Sequence, residues 1–211
     1  MQTKSLRTSV SGRTSWQKIA RRIRVPMGFA FAAVFLWLAR PSWRTMLASL
    51  ILVLPGLWLR GYASGYVKKN AELATTGPYA HTRNPLYLGS MLIAFGFAAA
   101  AASWVILAAL AALFAAIYIP TIQSEEAYLR EHFAGFDAYA RAVPRLLPRL
   151  TPAQPAAASG GERGGFSPAL YRKHREYNAL MGVGAIYLAL ALILVERHLF
   201  PAGLSKPSWW P

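Results

Sequence analysis

The sequence predicts an all-α fold, a polytopic membrane helical bundle of about five transmembrane helices, and three observations carry that reading. Of 211 residues, 55% are hydrophobic, which points to the bilayer as solvent. Residues 86–122 form a run of 37 residues without a charge, too long for one span and sufficient for two. The basic residues lie beside the apolar runs rather than in a domain of their own, so the net charge of +15 favours anionic lipid head groups as partners over nucleic acid. Cysteine is absent, which excludes disulfides, thiolate metal sites and a cysteine nucleophile.

Residues 1–24 read as a basic N-terminal segment, with Lys4, Arg7, Arg13, Lys18, Arg21, Arg22 and Arg24 ahead of any long apolar run. That pattern assigns the N-terminus to the cytoplasm. Trp16, Ile19, Ala20 and Ile23 recur at helical spacing, so the second half reads either as an amphipathic helix on the membrane surface or as a frayed tail. A membrane core is expected over residues 25–152. Its first span, Val25–Ala39, has 15 residues and reaches only about 22 Å as a helix against a hydrocarbon core of about 30 Å. It needs snorkelling arginines at its ends or a thin bilayer. Arg40, Pro41 and Arg44 make a turn, and a second span runs from about Thr45 towards Val67, interrupted by Pro55-Gly56 and by Arg60. Arg60 is either functional, as charges within spans tend to be, or sits near a helix end with its head at the phosphates.

Lys68–Asn84 is a polar loop. The uncharged run after it is expected to form a helical hairpin turning near Ala99–Trp104, with Gly89 and Gly96 allowing close helix approach. Thr121–Ala142 reads as an amphipathic helix with Ile122, Leu129, Phe133, Phe136 and Ala140 on one face. Glu126 falls on that face and points inward. A buried acid needs a partner, either a cationic or hydroxyl-bearing ligand or a structural arginine, Arg83 or Arg60. Glu125 lies one residue round, at the edge. Proline punctuation keeps Val143–Pro152 from being helical throughout. Residues 153–168 form a low-complexity linker, and residues 169–211 hold a basic segment and a last span at about Ala179–Val195. Five spans place 19 of the 23 lysines and arginines on the N-terminal side, as the positive-inside tendency requires.

Between the second span and the hairpin lies Gly77–Gly89, GPYAHTRNPLYLG. Gly77-Pro78 and Asn84-Pro85 are turn signals, and Pro85 stands where the following helix begins. Arg83, Asn84 and Tyr87 are thereby held at the membrane boundary. A second block runs from Ser124 to Pro148: Glu125-Glu126, Leu129, Phe133, Tyr139, Val143-Pro144-Arg145 and Pro148. The two blocks resemble the signature of the integral-membrane methyltransferases that include the isoprenylcysteine carboxyl methyltransferases and phospholipid N-methyltransferases. The resemblance extends over roughly Gly56–Pro148.

That resemblance implies S-adenosylmethionine as methyl donor, bound in a cytoplasmic cofactor-binding region made by Gly77, Pro78, Tyr79, Arg83, Asn84, Pro85, Tyr87, Gly89, Glu125 and Glu126. Arg83 and Glu126 are the expected catalytic residues, and no metal is required. Arg83 suits the donor's carboxylate, Glu126 or Glu125 its ammonium or ribose hydroxyls, and Tyr79 or Tyr87 its adenine or sulfonium. The implied substrate is a membrane lipid or lipid-linked carboxylate or amine, and the implied location a bacterial inner membrane. Asn84 stands where many members have histidine, Ala71 where the carboxyl methyltransferases have one, and Ala134 replaces a glycine in a segment about one residue short. These departures point away from prenylcysteine as acceptor. A sterol-type membrane reductase carries a similar motif, but Leu86 and Ser90 depart from it; a non-catalytic lipid-binding protein is the remaining alternative.

Overall fold

The computed structural model describes residues 31–67, 72–153 and 165–199. The basic N-terminal segment and the first six residues of the Val25–Ala39 span lie outside the described residues. The chain divides into two compact units, Met1–Trp37 and Leu38–Pro211. Residues 31–38 (α1) are helical. From there the order is α2 (Trp43–Ser64), a 3-10 turn (Gly77–Ala80), α3 (Pro85–Ala101), α4 (Trp104–His132), α5 (Phe136–Ala142), α6 (Pro168–His174) and α7 (Tyr177–Leu199). The described residues thus form an all-helical, polytopic membrane bundle. Helices α2, α4 and α7 are long and apolar enough to cross a membrane, and α3 is a shorter apolar helix.

Helix α2 starts at a capping box. Thr45 donates its backbone N–H to Ser42 Oγ at 3.1 Å, and Ser42 donates its own to Thr45 Oγ1 at 3.0 Å, which satisfies two donors that the helix cannot use internally. The expected interruption at Pro55-Gly56 does not occur: α2 passes through both residues. Membrane helices tolerate proline where neighbours re-satisfy the backbone, and Gly56 is needed for packing. A Cβ on Gly56 would lie 2.8 Å from the Gly89 carbonyl oxygen, and one on Gly96 would lie 2.4 Å from Val53 Cγ2. The α2–α3 pair is therefore a close helix crossing built on small residues, with Val53, Ala98, Ala100 and Ala101 buried in it.

The hairpin turns at Ala102, in the left-handed region at φ 50°, and Ser103 caps α4, inside the expected interval. Helix α4 has 29 residues, about 43 Å at 1.5 Å per residue. That exceeds the hydrocarbon thickness of about 30 Å, so its C-terminal turns carry Glu125 and Glu126 past the apolar zone. The amphipathic helix expected over Thr121–Ala142 is two pieces instead: its first half continues α4, and the chain breaks at Phe133–Gly135 before α5. Arg130 fixes the corner, with Nε on Asp137 at 2.8 Å and its guanidinium over the Phe136 ring. The break lets Phe136 turn into the core, where it is 1% exposed.

Candidate active site

The first motif block is strapped to the segment after α5. Arg83 N–H donates to the Pro144 carbonyl at 2.9 Å, Arg149 N–H to that of His81 at 3.0 Å, and Ala153 N–H to that of Ala80 at 2.9 Å. Side chains reinforce the strap. Thr82 Oγ1 donates to the Leu146 carbonyl at 3.0 Å and Asn84 Nδ2 to the Arg145 carbonyl at 2.9 Å. These bonds satisfy the backbone of two proline-broken segments that cannot be helical, which buried peptide groups require. Tyr139, on α5, closes the far side by donating to the Tyr79 carbonyl at 2.8 Å.

Folding the strap back brings three charged groups together. Glu126 is 5% exposed, as its place on the apolar face predicts. Arg83 Nη1 lies 3.2 Å from its Oε1, and Arg145 approaches through Nε at 3.2 Å and Nη2 at 2.8 Å. One carboxylate thus serves two guanidinium groups. Arg83 was among the expected partners and Arg60 was not used here; the partner that sequence reasoning missed is Arg145. Its signal was present, since a basic residue directly after Val143-Pro144 sits in the second motif block. Hydrogen bonding to Glu126 and its charge raise the Arg145 pKa further. Burial above all holds the Tyr79 and Tyr139 hydroxyls neutral well above their ordinary range, although the Arg83 charge opposes it at Tyr139.

A cavity of about 290 Å³ opens beside this triad. Tyr79, Arg83, Asn84, Pro85, Tyr87, Glu125 and Glu126 line it, together with Leu86, Leu129, Phe133, Phe136 and Tyr139. Glu125 stands at the exposed edge and accepts a hydrogen bond from Tyr87 at 2.9 Å. Three residues expected at the site are elsewhere. Gly77 has φ +58° and packs on the Tyr66 ring, Pro78 is buried in the 3-10 turn, and Gly89 faces Arg60 and Gly56 on α2. Their part is to shape the loop and seat α3, because a Cβ at Gly77 is strained at positive φ and one at Gly89 collides with α2. The two motif histidines are engaged with carbonyls: His81 Nδ1 with Arg149 at 2.8 Å and His132 Nδ1 with Tyr128 at 2.8 Å.

The residues fit the donor that the motifs imply. Arg83 Nε is buried and has no hydrogen-bond partner among the described residues. A buried donor left unmade is costly, so the wall of the cavity holds an unused guanidinium N–H beside three carboxylates, Glu72, Glu125 and Glu126, and several rings. Among the described residues no group of three or more histidine, aspartate or glutamate side chains could hold a metal ion.

The described residues thus place a cavity between the two motif blocks at one end of a membrane helical bundle. Residues 56–135 match the family model described as phospholipid methyltransferase. The match bears out the resemblance read from the two blocks, and ends before the Val143–Pro148 strap. Among curated proteins, the nickel-cobalt-cadmium resistance protein NccN of Alcaligenes xylosoxydans is 42% identical over 95 residues, 45% of this chain and 44% of that protein. The cobalt-zinc-cadmium resistance protein CzcN of Cupriavidus metallidurans is 40% identical over 95 residues, 45% of this chain and 43% of that protein. This chain therefore spans less than half the length of the curated relatives it matches. No solved structure matches.

Proposed function

We propose that the protein transfers a methyl group from S-adenosylmethionine to a membrane lipid or lipid-linked carboxylate or amine at the cytoplasmic boundary of a bacterial inner membrane. One observation carries the reading: Arg83, Glu126 and Glu125 converge on one cavity at the membrane end of α3 and α4, and Arg83 keeps a buried donor unused. When bound, the donor supplies an electrophilic methyl group on a sulfonium. Arg83 is assigned the donor's carboxylate, Glu125 and Glu126 its ammonium or ribose hydroxyls, and Tyr79 and Tyr87 the ring-lined part of the wall. The sulfonium loses its charge in the displacement, cancelled by a carboxylate acceptor or passed to an amine one, so the protein's task is to align the reacting atoms and exclude water. The exposed apolar faces beside the site allow a substrate to offer its polar end without leaving the bilayer.

Equilibrium binding of labelled S-adenosylmethionine and of NADPH to the purified protein in detergent tests the reading. Saturable binding of the first alone is expected; binding of NADPH alone, or of neither, would reject it. Transfer from labelled donor to aminolipids, short prenylcysteines and a total bacterial lipid extract then identifies the acceptor, with a product other than the prenylcysteine methyl ester expected. The pH profile sorts acceptor chemistry. A carboxylate gives a rate nearly flat from about pH 6 to 9, whereas an amine gains rate until it is mostly deprotonated. The orientation is checked by single cysteines in this cysteine-free chain. Asn70→Cys and Gln154→Cys should react from the cytoplasm, and Ser103→Cys and Ser205→Cys from outside; cytoplasmic labelling at position 205 would overturn the five-span topology.

A further inference from the structure

A second cavity, of about 400 Å³, lies between α2 and the segment that leads into α7. Its α6–α7 wall lies outside the family-matched residues. Trp58 and Tyr62 stack at 5.2 Å, and Tyr62 stacks on Phe166 at 5.9 Å, so an aromatic ladder forms one side. Gly61, on the same helix, lets the Tyr171 ring close in to 3.4 Å from where a Cβ would stand. The charged lining residue is Glu176, and it is neutralised. Arg60 Nε and Nη2 hold its two oxygens at 3.1 and 3.0 Å, so the cavity offers no free carboxylate to a cation.

The cavity is open sideways rather than towards the loop layer, because its rim residues Trp58 and Leu180 are 66% and 60% exposed. Below the rim the same face of α2 continues through Leu54, Ile51 and Leu47, all exposed, at the i, i+3/4, i+7 spacing of one helix face. Above it, Arg172, Lys173 and Arg175 are exposed directly beside the lining residues Tyr171 and Glu176. Apolar depth, an aromatic rim and cations on the polar side reproduce in order the chain, interface and phosphate of a phospholipid.

We infer that this cavity is a phospholipid seat: it takes an acyl chain against Trp58, Tyr62 and Leu180, with the phosphate at Arg172, Lys173 and Arg175. The inference goes beyond the proposed methyl transfer and does not need it. Photolabelling tests it in the full-length protein in detergent, with phosphatidylglycerol carrying a diazirine at the end of one acyl chain, peptides mapped by mass spectrometry. Labelling concentrated on the peptides bearing Trp58–Tyr62 and Phe166–Leu180 is expected, competed by unlabelled phosphatidylglycerol. Leu180→Trp, at the exposed rim, and Gly61→Leu, inside, should each reduce it at least fivefold. The triple change Arg172→Gln, Lys173→Gln and Arg175→Gln should reduce labelling by the phospholipid and leave labelling by a diazirine diacylglycerol unchanged. Label spread over the outward faces of all spans and insensitive to these changes would overturn the inference, as would equal loss with both probes in the triple variant. Since labelling requires no methyl transfer, an inactive protein that labels as expected rejects the proposed function and leaves the lipid seat standing.

Discussion

Two carboxylates at the membrane boundary, Glu126 buried and Glu176 half-buried, are held by arginine, and they are held differently. Glu176, between α6 and α7, meets one arginine, Arg60, among the described residues. That arginine spends its remaining donors on the Leu86 carbonyl and the Ser90 hydroxyl, so the pair is electrically neutral and its hydrogen bonding is complete. Glu126 meets Arg83 and Arg145 together and leaves Arg83 Nε unused, in a cavity that Glu72 and Glu125 also line. A saturated neutral pair is a fastener. An unsaturated cluster beside a cavity keeps a guanidinium donor for an acceptor on a ligand. The fastener joins the C-terminal segment to α2, helped by His174 Nδ1 on the Ser64 carbonyl at 3.0 Å and Arg197 Nη2 on that of Ala39 at 3.1 Å.

The comparison breaks first at Glu126. Glu126→Ala strands the buried Arg83 guanidinium, while Arg145 is exposed to solvent, and a loss of about 3–5 kcal/mol is expected, read as a large fall in thermal midpoint in detergent together with loss of donor binding. Arg83→Ala should act mainly on the ligand. Donor affinity should fall by about 1.5–3 kcal/mol, more than tenfold, since a charge-assisted hydrogen bond is lost, while Arg145 keeps Glu126 paired and the protein folded. Titration calorimetry with S-adenosylmethionine measures it, and unchanged affinity would reduce the Arg83–Glu126 pair to a second fastener. Glu176→Gln should show the reverse pattern: a stability loss of about 1–2 kcal/mol with donor affinity within twofold of the parent.

The smallest effect belongs to the strap. Tyr139→Phe removes one hydrogen bond to the Tyr79 carbonyl and should cost about 1 kcal/mol. Its pH signature is sharper than its size. The folded pKa of Tyr139 is raised above the unfolded value of about 10, so its stabilising contribution is complete below pH 10 and is lost as pH rises beyond it. Melting midpoints should therefore fall on the alkaline side, and less steeply in Tyr139→Phe; identical slopes would remove Tyr139 from the account.

Much of this was legible because its cause is local. The uncharged run of 37 residues has few ways to meet a bilayer other than as a hairpin, and the position of Glu126 relative to Ile122 and Leu129 made its burial foreseeable from helical period alone. The turn signals and spacing of the motif loop were likewise readable, but not the work each residue does in it. Asn84, expected at the ligand, lines the cavity and also ties the strap to Arg145. Gly77 and Gly89, expected there too, prove to be packing positions against Tyr66 and α2.

The sequence by itself determined the class of solvent, the uncharged helical hairpin and the acid on the inward face of α4, since charge, run length and period are properties of neighbouring residues. Only the tertiary structure decided who pairs with whom. Arg145 reaches Glu126 across 19 positions and Glu176 reaches Arg60 across 116, and at such separations the chain's path through the break at Phe133–Gly135 and the strap sets the geometry. Nothing in the spacing could rank three arginines for one buried carboxylate, because each is equally able to neutralise it and only the folded backbone fixes which guanidinium arrives within hydrogen-bond distance.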